Sequence, residues 1–148
     1  MKIISEIEAS SITLDCGQVS KLGKIIEVEK NISRSLDWVE LGACTVNSGV
    51  YVMKNKFTSL YCIGFACGSD EVYRPHAWIK SDGFYLECSP QNGCLKQYIL
   101  AKEMKYDELI EIFQDSKINI SNGFIPPLID GFGDLYTLNP DVSASVRG

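Results

Sequence analysis

An Asp-Gly pair between two alternating apolar segments constrains the fold of this 148-residue chain more than any other feature. Asp82-Gly83 separates residues 76–81 (HAWIKS) from residues 84–88 (FYLEC). Both central residues of a type I′ turn have positive φ angles, and Asp-Gly is among the pairs that adopt them most readily. The pattern therefore predicts a β-hairpin with a two-residue loop. Its predicted pairs include Ser81 with Phe84 and Trp78 with Glu87.

This register places an acid beside the single histidine of the chain. Side chains alternate along a strand, so His76, Trp78 and Glu87 share one face of the hairpin, together with Tyr85 and Ser89. Glu87 is the diagonal neighbour of His76, at roughly 7–8 Å between backbones, which a long side chain can span. A carboxylate there would accept the imidazole N–H, fix the tautomer and stabilise the imidazolium. A shift of the hairpin register by one residue would turn Glu87 to the opposite face. A lone histidine beside a tryptophan is otherwise typical of a buried core residue.

A histidine–acid pair supports nucleophilic catalysis when a thiol lies beside it, and the chain has six cysteines. Cys44 follows the helix breaker Gly42 and begins a segment, residues 44–54, whose pattern suits a helix or a strand. At a helix N-terminus the dipole favours a thiolate, and backbone N–H groups can stabilise an oxyanion. Cys44 is therefore the best candidate nucleophile. The other thiols are typical of buried strand positions (Cys62, Cys67, Cys88) or have no distinguishing context (Cys16, Cys94).

The hydrophobic pattern predicts a single α+β domain spanning residues 1–148. An antiparallel sheet is expected from five segments, at about 24–29, 59–66, 75–81, 84–89 and 96–103. Helices are expected at 33–41 and 106–114. If residues 44–54 are helical, Val46, Val50 and Met53 should form the face that packs on the sheet. Residues 117–148 are too rich in Gly and Pro for long elements and too apolar to be left uncovered, so this tail should pack over the body of the domain.

Composition and charge exclude several functional classes. Hydrophobic residues make up 45% and charged residues 22% of the chain, which excludes a disordered, collagen-like or coiled-coil protein. A formal charge of −5 with scattered basic residues argues against nucleic acid or an anionic membrane as a partner. No apolar run reaches the length of about 18 residues that a membrane span needs.

The beginning of the sequence has no apolar stretch like that of a signal peptide, since Glu6 and Glu8 interrupt it. We therefore expect a cytoplasmic protein with reduced thiols, or one delivered into another cell without a signal peptide. The even number of cysteines leaves disulfides open as an alternative.

Several short motifs resemble the core of the transglutaminase-like (papain-like) cysteine enzymes. They are G-A-C at residues 42–44, H-A-W-I at 76–79, D-G at 82–83 and Y-L-E at 85–87. The branch that includes bacterial lasso-peptide leader peptidases is the most similar, because Ser48 follows the cysteine and Ile63-Gly64 precedes the histidine segment. The resemblance covers about residues 42–90. In one respect the chain departs from that pattern: the family has an aspartate where Glu87 stands.

The resemblance implies a papain-like fold, in which a helix with cysteine at its N-terminus packs on an antiparallel sheet. It implies a catalytic triad of Cys44, His76 and Glu87, with Trp78 and Ser48 in supporting positions, and no cofactor. The implied activity is thiol-dependent acyl transfer at an amide bond of a peptide or protein substrate. Water as acceptor would make the protein a protease or glutamine deamidase, and an amine would make it a transglutaminase. A peptide-processing enzyme and a deamidating effector of bacterial or phage origin both remain open.

Two other interpretations stay open at this point. A zinc site could draw on Cys62, Cys67, His76, Cys88 and Cys94, although no C-x2-C knuckle is present. A non-catalytic binding or inhibitor module on the same fold would explain the glutamate in place of aspartate.

Overall fold

The computed structural model describes residues 15–91 and 93–114, and it shows an α+β fold. The helices are α1 (Cys16–Val19), α2 (Cys44–Lys54) and α3 (Tyr106–Gln114), with a 3₁₀ turn at Ser33–Ser35. The strands are β1 (Lys24–Ile26), β2 (Val28–Asn31), β3 (Ser59–Cys67), β4 (Arg74–Ser81), β5 (Phe84–Glu87) and β6 (Gln97–Met104). The predicted packing of residues 117–148 lies outside the described residues.

The predicted hairpin is confirmed in turn type and register. Asp82 and Gly83 have φ angles of 52° and 86°, as a type I′ turn requires. The observed pairs are Ser81 with Phe84, Lys80 with Tyr85, and Ile79 with Leu86. Glu87 therefore lies on the face of the hairpin to which His76 and Trp78 also belong.

The sheet is curled, and it is not antiparallel throughout as the sequence pattern suggested. Its strand order is β1-β6-β3-β4-β5-β2, and β2 runs parallel to β5 whereas the other neighbours are antiparallel. The predicted strand at 24–29 is two strands, separated by Glu27 alone and placed at opposite edges of the sheet. Because one residue joins these edges, the sheet must bend round to bring them together. β1 and β2 run in the same direction along one continuous segment, and β1 is antiparallel to β6. With this strand order, β2 must then run parallel to β5.

The segment that begins at Cys44 is a helix, and α2 packs on β3 and β4. The face predicted to be buried is wrong, since Met53 is 51% exposed and Val46 and Val50 are only half-buried. Small and polar residues form the buried face instead: Thr45, Asn47, Ser48, Gly49 and Val52. Small side chains let a helix approach a sheet closely, so apolar periodicity alone pointed to the wrong stripe.

The helix predicted at 33–41 is also wrong, because only the 3₁₀ turn Ser33–Ser35 forms there. Leu36 is already extended, with φ −114° and ψ 121°. Side chains compete with helical hydrogen bonds at this point. The Ser33 N–H donates to Asn31 Oδ1 at 2.8 Å, and the Ser35 hydroxyl donates to the Ile32 carbonyl at 2.8 Å.

Two apolar clusters cover the two faces of the sheet. The larger lies under the helices and contains, among others, Val52, Tyr61, Ile63, Phe65, Ala77, Ile79, Ile99 and Leu109. The smaller lies on the other, inner face and contains Cys62, Ala66, Trp78, Tyr98 and Leu100. Alternation along β4 places His76 on this inner face, next to Trp78.

Candidate active site

Cys44 is the first residue of α2, and a buried asparagine holds the loop that leads to it. Gly42 has a φ angle of +79°, which turns the chain into the helix. Asn47 Nδ2 donates to the Glu40 carbonyl at 2.8 Å, and Asn47 Oδ1 accepts from the Glu40 N–H at 3.1 Å. Asn47 Nδ2 also donates to Ser89 Oγ at 3.0 Å. The Cys44 loop is thereby fixed relative to the segment that follows β5.

His76 and Glu87 are joined directly. His76 Nε2 lies 2.5 Å from Glu87 Oε1, and both side chains are buried. A carboxylate accepts this hydrogen bond, so Nε2 carries the proton and Nδ1 is left to face elsewhere. The diagonal placement deduced from the hairpin register is thus what the side chains use.

The Glu87 carboxylate is hydrogen-bonded at both oxygens. Oε1 accepts from the Tyr98 hydroxyl at 2.7 Å as well as from His76. Oε2 accepts from the backbone N–H of Ser89 at 3.2 Å. A buried carboxylate needs such donors to remain charged. Three donors therefore satisfy the buried Glu87 carboxylate.

The charges around His76 favour its protonated form. Burial lowers the pKa of His76, but the Glu87 carboxylate and then Cys44, which also hydrogen-bonds to the imidazole, raise it by more. The pKa of His76 therefore lies well above the ordinary value of 6.5. Glu87 binds Nε2 of the ring, and Cys44 is the other group that acts on the imidazole. The structure thus brings together the three residues that the sequence analysis singled out.

Aromatic packing fixes the plane of the imidazole. The ring of Trp78 lies 6.1 Å from that of His76 at an interplanar angle of 20°, and Tyr98 lies 6.0 Å away at 58°. Trp78 itself is fully buried. Its indole N–H has no hydrogen-bond partner among the described residues.

The other thiols differ from Cys44 in their surroundings. No disulfide joins any of the six cysteines, all of which lie within the described residues. Burial raises the pKa of Cys88 to about 12 although the hydrogen bond from Ser48 lowers it, and burial likewise raises the pKa of Cys62. Neutral thiols are poor nucleophiles, so these two are unsuited to attack. Ser48 contacts Cys88 Sγ at 3.5 Å, which makes it a neighbour of that thiol.

A pocket of about 640 Å³ adjoins the site on the side of the acid. Glu87 and Tyr98 line it together with Lys30 and Arg34. Within residues 15–91 and 93–114, no three potential metal ligands lie close enough to share an ion. The candidate zinc ligands named from the sequence therefore form no cluster in the described part of the chain.

No helix within the described ranges is long and apolar enough to cross a bilayer.

Comparison with known proteins gives no match. No family model matches the chain, and neither a curated protein nor a solved structure does so.

Sequence reasoning missed two residues of this site, Tyr98 and Asn47. Asn47 has a local signal, because an asparagine in the first turn of a helix disfavours the helix unless its amide is used. Tyr98 has no such signal. It lies on β6, three strands from Glu87 in the sheet order, and only the curl of the sheet brings the two together.

Proposed function

We propose that this protein is a cysteine-dependent acyl-transfer enzyme that acts on an amide bond of a peptide or protein, with Cys44, His76 and Glu87 as its triad. One observation carries the proposal: a buried histidine is hydrogen-bonded to a carboxylate and also interacts with a thiol at a helix N-terminus. The same three roles define nucleophilic catalysis by a thiol. The proposal includes the transglutaminase-like, papain-like assignment that the sequence motifs support.

In the first half-reaction Cys44 is the nucleophile and His76 the acid. The thiolate attacks the amide carbonyl, a C–S bond forms, and the carbonyl oxygen takes the negative charge. No side chain caps the first turn of α2, and N–H groups at such a terminus are suited to stabilise that oxyanion. The imidazolium then gives its proton to the amide nitrogen as the C–N bond breaks. The products are a free amine and a thioester on Cys44.

In the second half-reaction neutral His76 accepts a proton from the acceptor. Water as acceptor releases a carboxylic acid, which is peptide cleavage or glutamine deamidation. An amine as acceptor gives a new amide, which is transamidation. Either acceptor restores the thiolate and the imidazolium, so the residues of the site fit both outcomes.

The test measures thiol reactivity first, because it needs no substrate. With limiting iodoacetamide at pH 7, mass spectrometry of the digested protein should show Cys44 alkylated before the exposed Cys16 and Cys94. His76→Asn should remove that preference, since the charge that stabilises the thiolate is lost. Alkylation of Cys16 or Cys94 ahead of Cys44 would contradict the proposal.

The second step of the test identifies the reaction. Glutamine-containing peptides are incubated with the protein in ¹⁸O-water, with and without a primary amine, and the products are weighed. Fragments, deamidated peptide and amine adduct distinguish the three activities. Cys44→Ser should lower all three activities by about 10³-fold or more while the fold is retained. Selective alkylation without any turnover would favour a binding module that retains the triad geometry.

A further inference from the structure

Tyr98 makes an unusual connection between distant strands. Its hydroxyl donates to Glu87 Oε1 at 2.7 Å, although β3 and β4 lie between β6 and β5 in the sheet. The tyrosine is 6% exposed and packs edge-on against Trp78, with ring centroids 5.1 Å apart. A residue on one strand thus reaches the candidate acid across the inner face of the curled sheet.

Small residues on β3 pair with both Tyr98 and His76. Ala66 pairs with Tyr98 on one side of β3, and Gly64 pairs with His76 on the other. A side chain at Gly64 is excluded, because its Cβ would lie 1.9 Å from the Ile99 carbonyl oxygen. Glycine is therefore required at this position, where the β6 backbone approaches β3 closely.

Tyr98 and His76 share one oxygen atom of Glu87. Burial, and then the charge of Glu87, raise the pKa of Tyr98, so its hydroxyl is always present as a donor. A hydrogen bond to an ionised carboxylate stabilises its charge and so weakens its attraction for a proton held by another donor. The Tyr98 hydroxyl therefore competes with the imidazolium for Glu87 Oε1.

We propose that Tyr98 is a positioning residue of the candidate site, which shares Glu87 Oε1 with His76 and thereby moderates the pull of the carboxylate on the imidazolium. The proposal rests on the function proposed above and deepens it. Too strong an ion pair would keep the proton on His76 when it must pass to the departing amine. Tyr98 sets that balance without touching the reacting atoms.

Other titratable groups face this pair from the surrounding elements. Cys44 faces the imidazole from α2, and Cys88 follows Glu87 on the chain. Lys30 and Arg34 share the adjoining pocket with Glu87 and Tyr98. An experiment must hold all of these constant, and Cys44 is the one that acts directly on the ring.

The experiment uses the single histidine of the chain as a reporter. The imidazole of the full-length protein is titrated by NMR in a Cys44→Ala background, which removes the thiolate from the measurement. Tyr98→Phe is compared with that background. Tyr85→Phe is the matched control, because the Tyr85 hydroxyl also donates to a glutamate, Glu103 at 2.5 Å, away from His76.

Removal of the competing hydroxyl should move the His76 midpoint upward by about 0.5 pH units, whereas Tyr85→Phe should leave it in place. In the protein that retains Cys44, the alkaline midpoint in the pH dependence of the Cys44 alkylation rate should also move upward. An unchanged or lowered midpoint would overturn the proposal. If Tyr98→Phe does not fold, Tyr98→Met, which also removes the hydroxyl and whose flexible side chain can fill the space, is measured for the same upward shift.

The outcome is separable from that of the proposed function. A His76 midpoint that rises in Tyr98→Phe supports the positioning role even if no amide substrate is found. If an acyl-enzyme forms on Cys44 but Tyr98→Phe leaves the His76 midpoint unchanged, the acyl-transfer proposal stands and the proposal for Tyr98 is rejected.

Discussion

At the scale of single residues, the length of Glu87 fits its place on the strand. The residue is diagonal to His76 across the hairpin, where backbones are roughly 7–8 Å apart, and its carboxylate still reaches Nε2 at 2.5 Å. The carboxylate also reaches Tyr98 and the Ser89 N–H. A side chain shorter by one methylene would have to give up at least one of these three contacts.

Glu87→Gln should weaken the site through its hydrogen bonds. Whichever way the amide turns, its NH₂ group meets a donor, either the pair His76 and Tyr98 or the Ser89 N–H. The loss of the negative charge should move the NMR titration of His76 to lower pH, and turnover should fall by about 10²-fold. Glu87→Asp should lie between Gln and the wild type. A His76 midpoint that is the same in all three proteins would show that another group orients the ring.

At the scale of elements, α2 offers a direct test of which face supports the site. Val52 is fully buried and Met53 is 51% exposed, although both are apolar neighbours on one helix. Val52→Ala should lower the free energy of unfolding by about 2 kcal/mol, because it removes buried methyl groups and leaves a cavity. Met53→Ala should change it by less than about 0.5 kcal/mol. Urea unfolding of the two variants measures both values, and equal losses would contradict the observed packing.

The same helix shows how much the sequence could predict. The Asp-Gly turn fixes a hairpin register by local chemistry, so the positions of His76 and Glu87 followed from a few neighbouring residues. The bounds of α3 were likewise predictable, because an amphipathic pattern with acids in the first turn is a local signal. The buried face of α2 was not, since it depends on how closely the sheet approaches Ser48 and Thr45. Nor was Tyr98, whose partner is set by the curl of the whole sheet.

At the scale of the whole molecule, the site lies at the end of β5, where β2 and the first turn of α2 contact the sheet. β5 ends at Glu87, where β2 pairs with it and the Ile32 N–H donates to the Glu87 carbonyl at 2.8 Å. The Asn31 side chain donates to the Ser89 carbonyl at 3.1 Å, and Asn47 holds the Ser89 hydroxyl. Hydrogen bonds around Glu87 and Ser89 thus connect the edge strand β2, the helix α2 and the candidate acid. Unfolding of this region and loss of the His76–Glu87 pair should therefore be the same event.

This coupling predicts how stability depends on pH. The folded protein keeps the His76 proton to a higher pH than the unfolded chain, whose histidine titrates near 6.5. Above that pH the folded state binds more protons, so the free energy of unfolding must fall as pH rises. The stabilisation is complete below about pH 6.5 and is lost as the pH passes through the raised folded-state value.

The fall can reach about 1.4 kcal/mol per pH unit for one proton, and Glu87→Gln should flatten it. Urea unfolding of both proteins between pH 6.5 and 7.5 measures the difference, about one pH unit or more below the ordinary thiol pKa of about 8.5. The α-amino group titrates in the same window but contributes equally to wild type and variant. Because the chain has only one histidine, no second imidazole can produce the slope. Parallel curves for the two proteins would mean that Glu87 does not hold the proton on His76.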